Sequence, residues 1–153
     1  MATKILMVCL GNICRSPLAE GIMLKLIADK KLNITVDSAG TSNFHVGEAP
    51  DHRSTANAAK HGVDLKPLRA RQFVVSDFDA FDKIYVMDKS NRQNVLNLAR
   101  NEADKAKVDL LLNTCYPGTG MEVPDPYFGG EQGFENVFQL VEKACLKSAE
   151  MPS

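Results

Sequence analysis

A short segment near the N-terminus places the strongest constraint on the fold. Residues 9–17 read Cys-Leu-Gly-Asn-Ile-Cys-Arg-Ser-Pro and directly follow the apolar run Ile5-Leu6-Met7-Val8, which is typical of a buried strand. Pro17 suits the first turn of a helix, where its missing N–H costs nothing, and the apolar spacing of residues 18–27 is helical. The segment therefore predicts a strand, a tight loop and a helix in succession.

This loop has the features of an anion-binding site. Backbone N–H groups of a tight loop and of a helix N-terminus converge on one point, and Gly11 allows positive φ and close approach of the backbone. Arg15 adds a permanently charged fork that can hold two phosphate oxygens. Cys9 stands where its sulfur can face the phosphorus, and the positive surroundings favour its thiolate form. These features predict a cysteine-dependent phosphatase that forms a phosphocysteine. The predicted phosphate-binding residues are Leu10, Gly11, Asn12, Ile13, Cys14, Arg15 and Ser16.

The rest of the chain alternates strand and helix signals, which predicts a parallel α/β sheet. We expect residues 1–153 to form a single three-layer domain, with a four-stranded parallel sheet flanked by helices and the phosphate loop between strand 1 and helix 1. The expected strands are residues 4–8, 34–37, 83–87 and 108–112, with a short additional strand near 71–73. The expected helices are residues 17–31, a helix capped by Asp51 that ends before Gly62, residues 90–100 and residues 134–148.

Two long loops, residues 39–50 and 113–133, lie outside these elements, and loops of that length are usually functional. Ligands of open parallel sheets bind beyond the carboxyl ends of the strands, so Ser38, Asp88 and the second loop should meet the phosphate loop there. The second loop contains Asp125 between two prolines, which stiffen the position of its carboxyl group. Asp125 is either a turn residue or the acid that protonates a leaving phenolate, and spacing alone leaves both readings open.

The stretch from Cys9 to Gly21 resembles the low-molecular-weight protein tyrosine phosphatases. The resemblance implies hydrolysis of phosphotyrosine and aryl phosphate monoesters, with Cys9 as nucleophile, Arg15 binding the phosphate and the transition state, and Asp125 as general acid and then base. Four later segments also resemble that family, in the same order along the chain: residues 37–41, 70–72, 87–91 and 123–127.

Residues around the nucleophile are expected to support it. Ser16 can donate a hydrogen bond to the Cys9 sulfur and make it a better leaving group. Asn12 is expected to hold the loop in shape, and Ser38 resembles the family's supporting residue for Asn12. Cys14 lies close to Cys9 in the loop and could form a disulfide with it after oxidation, which would block over-oxidation.

Three aromatic side chains are expected to wall a deep slot that admits a phosphotyrosine ring: Phe44, Tyr127 and Phe128. The alternative is that these loop aromatics anchor the core. Many family members carry a second tyrosine where Phe128 stands, so regulation by phosphorylation there should be halved or absent. Many also carry a histidine where Leu68 stands, so one hydrogen bond to the phosphate loop should be replaced or missing.

Three competing functions fit parts of the pattern. An arsenate reductase on this scaffold needs two further cysteines close together, and Cys115 and Cys145 are too far along the chain and too far apart. A protein-arginine phosphatase is a close relative with threonine where Ile13 stands, and Ile13 favours the tyrosine enzyme. A phosphopeptide-binding module would need neither Cys9 nor Asp125, so the presence of both favours turnover.

Composition narrows the remaining functions. The chain of 153 residues is 44% hydrophobic and has a net charge of −1, which gives no support to binding of nucleic acid or of a membrane surface. It contains no apolar stretch long enough for a membrane span and no signal-peptide layout at its N-terminus. The four cysteines and three histidines lack metal-ligand spacing, so no metal or cofactor is expected and a reduced, cytoplasmic setting is favoured. The expected partners are phosphotyrosine-containing proteins, with inorganic phosphate and vanadate as competitive ligands.

Overall fold

The computed structural model describes residues 2–150, apart from the side chain of Phe128. Four parallel strands form one sheet in the order β2-β1-β3-β4. The strands are β1 Thr3–Cys9, β2 Ile34–Gly40, β3 Lys83–Val86 and β4 Val108–Leu110. The α-helices are α1 Arg15–Lys30, α2 His52–Lys60, α3 Asp77–Ala80, α4 Lys89–Leu96, α5 Glu102–Ala106 and α6 Gly130–Glu150. Two 3₁₀ helices span Leu111–Thr114 and Pro126–Phe128.

The sheet is buried on both faces, as β1 shows most clearly. Successive side chains of a strand point to opposite faces. Ile5 and Met7 belong to the core that packs against α1 and α6, whereas Leu6 and Val8 belong to the core on the α3 and α4 side. A parallel sheet covered on both faces by helices forms three layers. The predicted architecture is therefore confirmed.

The strand order places the phosphate loop at the point where the direction of winding reverses. β1 is paired with β2 on one side and with β3 on the other, so the connections from its carboxyl end diverge. Cys9 is in register with Gly40 of β2, and Val8 is in register with Val86 of β3. Residues that follow these three strands therefore meet at one edge of the sheet.

The prediction of a strand near residues 71–73 is wrong. Gln72 forms only an isolated bridge to Gly40. The pairing stops there because the next backbone N–H, that of Val74, is taken by the carboxylate of Asp77 at the start of α3. The Arg71 guanidinium bonds both to Asp77 and to Asp37 of β2, so side-chain bonds rather than a strand ladder connect this segment to the sheet.

Other differences concern the ends of elements. The helix predicted over residues 90–100 is α4, which ends at Leu96, followed by a separate α5 that Asn101 caps by accepting the N–H of Asp104 at 2.9 Å. The last strand ends at Leu110, and the chain then turns into a 3₁₀ helix. The long α6 begins at Gly130, four residues before the predicted start, because its first turn is too polar and glycine-rich to show helical apolar spacing.

The predicted cap is confirmed, since Asp51 accepts the N–H groups of Arg53 and Ser54. Within residues 2–150, no helix combines the length and the apolar character needed to cross a bilayer.

Candidate active site

The phosphate loop takes its shape from Asn12 rather than from Gly11. Asn12 has a φ of 57°, whereas Gly11 does not have a positive φ, so the predicted positive φ at the glycine is wrong, and its close approach to the anion stays a prediction. Asparagine tolerates this left-handed conformation better than most residues because its short side chain bonds locally. Asn12 Nδ2 donates to Ser16 Oγ at 2.8 Å and to Ser38 Oγ at 2.9 Å, and Asn12 Oδ1 accepts the N–H of Arg71 at 2.9 Å. The side chain therefore ties the loop to β2 and to the segment after α2.

Cys9 is the last residue of β1, and its side chain lies at the base of the loop. The residue is 3% exposed, and its Sγ lies 3.0 Å from Ser16 Oγ. Ser16 Oγ accepts a hydrogen bond from Asn12, and its own proton can be donated to the Cys9 sulfur at 3.0 Å or to the more distant Ala39 carbonyl at 3.5 Å. This geometry stabilises negative charge on Cys9 and would also stabilise the thiolate when it leaves.

Ser38 connects the loop to a buried carboxylate that the sequence analysis did not single out. Ser38 Oγ accepts from Asn12 and donates to Glu20 Oε1 at 2.5 Å. Burial raises the pKa of Glu20 to about 6; Asp37 adds to the rise, while the Ser38 hydrogen bond and Arg71 oppose it. A chain of hydrogen bonds thus runs from the nucleophile through Ser16, Asn12 and Ser38 to Glu20. Leu68, which stands where many family members carry a histidine, is partly buried against the core. The hydrogen bond that Asn12 Oδ1 accepts comes from the backbone N–H of Arg71.

Arg15 is the first residue of α1, and two partners hold its guanidinium. Arg15 Nη1 donates to Asp88 Oδ2 at 2.7 Å and to the Val123 carbonyl at 3.0 Å. Burial alone would lower the pKa of Arg15, but Cys9 and Asp88 outweigh it and the pKa is raised, so the group stays charged. In the described part of the chain, no group accepts a hydrogen bond from Nε or Nη2, which leaves that edge of the fork for an anion.

Asp125 belongs to the loop that covers the site. It lines the same cavity as Cys9 and Arg15, and its Oδ1 accepts the N–H of Tyr127 at 2.9 Å. That hydrogen bond orients the carboxyl group and leaves the second oxygen for proton transfer. Val123 anchors the loop to the sheet because its N–H donates to the Met87 carbonyl at 2.8 Å.

The cavity above Cys9 has a volume of about 130 Å³, and we call it the catalytic slot. Two predicted wall residues line it: Tyr127, which is 39% exposed, and Phe44, which is 80% exposed. Phe44 is therefore not a core anchor. The side chain of Phe128 lies outside the described residues, so its role as a wall stays a prediction. Of the predicted phosphate-binding residues, the slot lining includes Leu10, Gly11, Ile13, Cys14 and Arg15.

The second cysteine of the loop differs chemically from the first. Burial raises the pKa of Cys14 to about 12; Asp51, Cys9 and Asp125 add to the rise, and Arg15 opposes it. Cys14 is therefore a neutral thiol at physiological pH. Cys115 and Cys145 are half-buried and fully buried respectively, and all four cysteines are unpaired.

Several site residues were not assigned a role from the sequence. Asp88 was expected only at the sheet edge, although an aspartate between a strand and a helix is a signal for a helix cap, and it does accept the Asn91 N–H. A Cβ on Gly40 would lie 2.8 Å from the Leu10 carbonyl oxygen, so only glycine lets β2 approach the phosphate loop. His45 lines the catalytic slot, and its Nδ1 lies 2.9 Å from Glu48 Oε2. No local pattern marks Val123 or His45.

A thiol at the base of an anion-binding loop, a guanidinium beside it and a carboxyl group above it define a cysteine-based phosphatase. Comparison with known proteins agrees. The model of the family described as low molecular weight phosphotyrosine protein phosphatase matches residues 4–151. The chain belongs to this family.

Individual relatives are similar along nearly their whole length. The human low molecular weight phosphotyrosine protein phosphatase is 42% identical over 149 residues, which cover 94% of this chain and 92% of that protein. A protein tyrosine phosphatase from Entamoeba histolytica, solved with Hepes in its active site, has a TM-score of 0.88 and 39% identity, and covers 96% of this chain and 94% of its own. A Drosophila arginine phosphatase has a TM-score of 0.87 and 31% identity, with 95% of each chain covered.

Proposed function

We propose that this protein tyrosine phosphatase hydrolyses phosphotyrosine in protein substrates, with Cys9, Arg15 and Asp125 as its catalytic residues. The observation that carries the proposal is the 3.0 Å contact between Cys9 Sγ and Ser16 Oγ in a slot that Arg15 and Asp125 also line. A buried sulfur with an oriented hydroxyl beside it is arranged to attack and to leave.

In the first step, Cys9 sulfur attacks phosphorus as the bond from phosphorus to the phenolic oxygen breaks. The Nε and Nη2 edge of Arg15 and the amides of residues 10–16 bind the three equatorial oxygens, whose negative charge they stabilise in the transition state. Asp88 and Val123 position Arg15 by holding Nη1, so its other edge points into the slot. The product of this step is a phosphocysteine.

Asp125 transfers protons in both steps of the reaction. A phenolate is a poor leaving group at neutral pH, so the carboxylic acid of Asp125 protonates the phenolic oxygen as it leaves. The resulting carboxylate then takes a proton from the water that attacks the phosphocysteine. Ser16 donates to the departing sulfur, and Asn12 and Ser38 support that hydroxyl.

The slot lining supports an aromatic substrate. The ring of phosphotyrosine would lie between Phe44 and Tyr127, with Phe128 as a further wall, since aromatic faces gain from offset or edge contacts. Inorganic phosphate and vanadate would occupy the same loop as competitive ligands.

The unpaired state of all four cysteines supports a reduced, cytoplasmic setting. The family match over residues 4–151 supports a single phosphatase domain over residues 1–153.

The experiment compares the wild-type protein with Cys9→Ser. The variant should bind vanadate with unchanged stoichiometry, because the amides and Arg15 hold the anion, but should lose turnover of para-nitrophenyl phosphate and of a phosphotyrosyl peptide. Equilibrium binding and kcat are measured on the same samples. A variant that keeps more than about a tenth of the wild-type kcat, equivalent to about 1.4 kcal/mol of barrier, would exclude Cys9 as the nucleophile.

A second candidate substrate is phosphoarginine, because one structural relative is an arginine phosphatase. Ile13 lines the slot and offers no hydrogen-bond partner to a guanidinium, and leaving such donors unpaired costs about 1–3 kcal/mol. Wild type should therefore prefer phosphotyrosine, and Ile13→Thr should shift the ratio of kcat/KM toward phosphoarginine. Equal or inverted preference in wild type would favour the arginine phosphatase.

A further inference from the structure

A second cavity lies on the outer side of the Tyr127 wall, between α2 and α6. We call it the α2–α6 cavity; its volume is about 270 Å³, and its lining includes Arg53 and Lys60 of α2 with Glu131 and Phe134 of α6. Tyr127 itself lines the catalytic slot, and the guanidinium carbon of Arg53 lies 5.1 Å from the centre of its ring. The Tyr127 ring, which lines the slot, and the Arg53 guanidinium, which lines this cavity, are therefore in contact where the two cavities adjoin.

The guanidinium of Arg53 is held in place, but its hydrogen-bond donors are not used by the described residues. It lies near the rings of both Tyr127 and Phe134, 4.9 Å from the centre of the second ring, so two aromatic side chains hold it in position. Its acidic neighbour Asp51 is 3.9 Å from Nε, beyond hydrogen-bond distance, and already accepts the N–H groups of Arg53 and Ser54. Among residues 2–150, no group accepts a hydrogen bond from this guanidinium, so its donors face solvent and the cavity.

The side chains that line the cavity carry a net positive charge. Lys60 has no ion-pair partner within the described residues, and together with Arg53 it outweighs the lining carboxylate of Glu131. Two further carboxylates contact the lining from outside it: Asp51, 3.9 Å from Arg53 Nε, and Glu135, which accepts from Asn57 Nδ2 at 3.0 Å. A planar fork with free N–H groups matches a carboxylate through two parallel hydrogen bonds. Near His45, which also lines the slot, the carboxylate of Glu48 lies 2.9 Å from the imidazole, so an acidic group is not favoured there.

We propose that the α2–α6 cavity binds the side-chain carboxylate of an acidic residue close to the phosphotyrosine in a peptide substrate. This proposal rests on the proposed function and adds a sequence preference to it. An extended residue spans about 3.4 Å, so the acidic residue lies within about three positions of the phosphotyrosine. Arg53 and Lys60 act on substrate selection and take no part in the chemical step.

The test measures kcat/KM for pairs of phosphotyrosyl peptides that carry Glu or Gln at one position, scanned over three positions on either side. Wild type should prefer Glu about fivefold at one of these positions. Arg53→Ala should abolish the preference and Lys60→Ala should reduce it, because each removes one cation from the cavity. Only the ratio between paired peptides is compared, so any effect of Arg53→Ala on the Tyr127 wall cancels.

Two further variants give the control. Lys66→Ala removes the same charge on the other side of α2, where Lys66 lines a separate cavity with His52 and Thr55, and should leave the ratio unchanged. Glu131→Gln should raise the ratio, because it removes the competing carboxylate. A wild-type ratio near one at all six positions, or an equal loss in Lys60→Ala and Lys66→Ala, would overturn the proposal. Absence of turnover for every peptide would instead overturn the proposed function.

Discussion

Glu20 provides a quantitative test of the hydrogen-bond chain behind the nucleophile. Glu20 is 8% exposed as a residue, and burial raises the pKa of its carboxyl group from 4.5 to about 6. One pKa unit corresponds to about 1.4 kcal/mol, so the rise makes the ionised group cost about 2 kcal/mol of folding free energy. The glutamine variant Glu20→Gln keeps an oxygen that accepts from Ser38 and removes the charge.

The direction of the change in folding stability follows from the number of protons that Glu20 binds in the folded and in the unfolded protein. Below pH 4.5 the group is protonated in both the folded and the unfolded protein, and wild-type stability is unaffected by it. As pH rises from about 4.5 through about 6, the unfolded chain ionises first, so wild type loses stability by about 2 kcal/mol. Glu20→Gln has no such loss, so its stability relative to wild type should increase by about that amount between pH 4 and pH 7.

Urea unfolding of both proteins at half-unit pH steps measures the difference directly. Glu102→Gln serves as the matched control, because the Glu102 side chain is 90% exposed and forms a surface ion pair with Lys105. A stability difference between wild type and Glu20→Gln that is constant with pH, or a variant that becomes relatively less stable as pH rises, would exclude a raised pKa at Glu20. Equal pH dependence in Glu102→Gln would also exclude it.

The remaining predictions concern activity. Asp125→Ala should reduce kcat by about a hundredfold or more for aryl phosphates with basic leaving groups and much less for activated ones, because only a basic phenolate needs the proton; an equal loss across a leaving-group series would exclude Asp125 as the acid. Peroxide should oxidise Cys9 to a sulfenic acid that condenses with the Cys14 thiol, releasing water; mass spectrometry should find this disulfide, and Cys14→Ser should lose recovery by dithiothreitol. Gly40→Ala should lower kcat/KM for para-nitrophenyl phosphate at least about tenfold with unchanged circular dichroism, because its Cβ displaces the phosphate loop; full activity would contradict the close approach.

The structure explains why some elements could be predicted and others could not. The strand, loop and helix around Cys9 and the cap at Asp51 depend on residues a few positions apart, so local patterns mark them. The break between α4 and α5 was missed because the apolar pattern continues through Leu98, while the decisive signal, the Asn101 cap, is a single residue. A strand was predicted near Gln72, where the structure has only a bridge. Strand propensity does not show that the Asp77 carboxylate accepts the Val74 N–H that a longer strand would use.

The sequence by itself determined the fold class, the anion-binding loop and the candidate catalytic groups, since each depends on residue type and short spacing. Only the tertiary structure decided how those groups are held. Asp88 and Val123 are 73 and 108 positions from Arg15, yet both bind the same guanidinium nitrogen. Such partners meet because parallel strands bring their carboxyl ends to one edge of the sheet, and no local pattern records which side chains then come within hydrogen-bond distance.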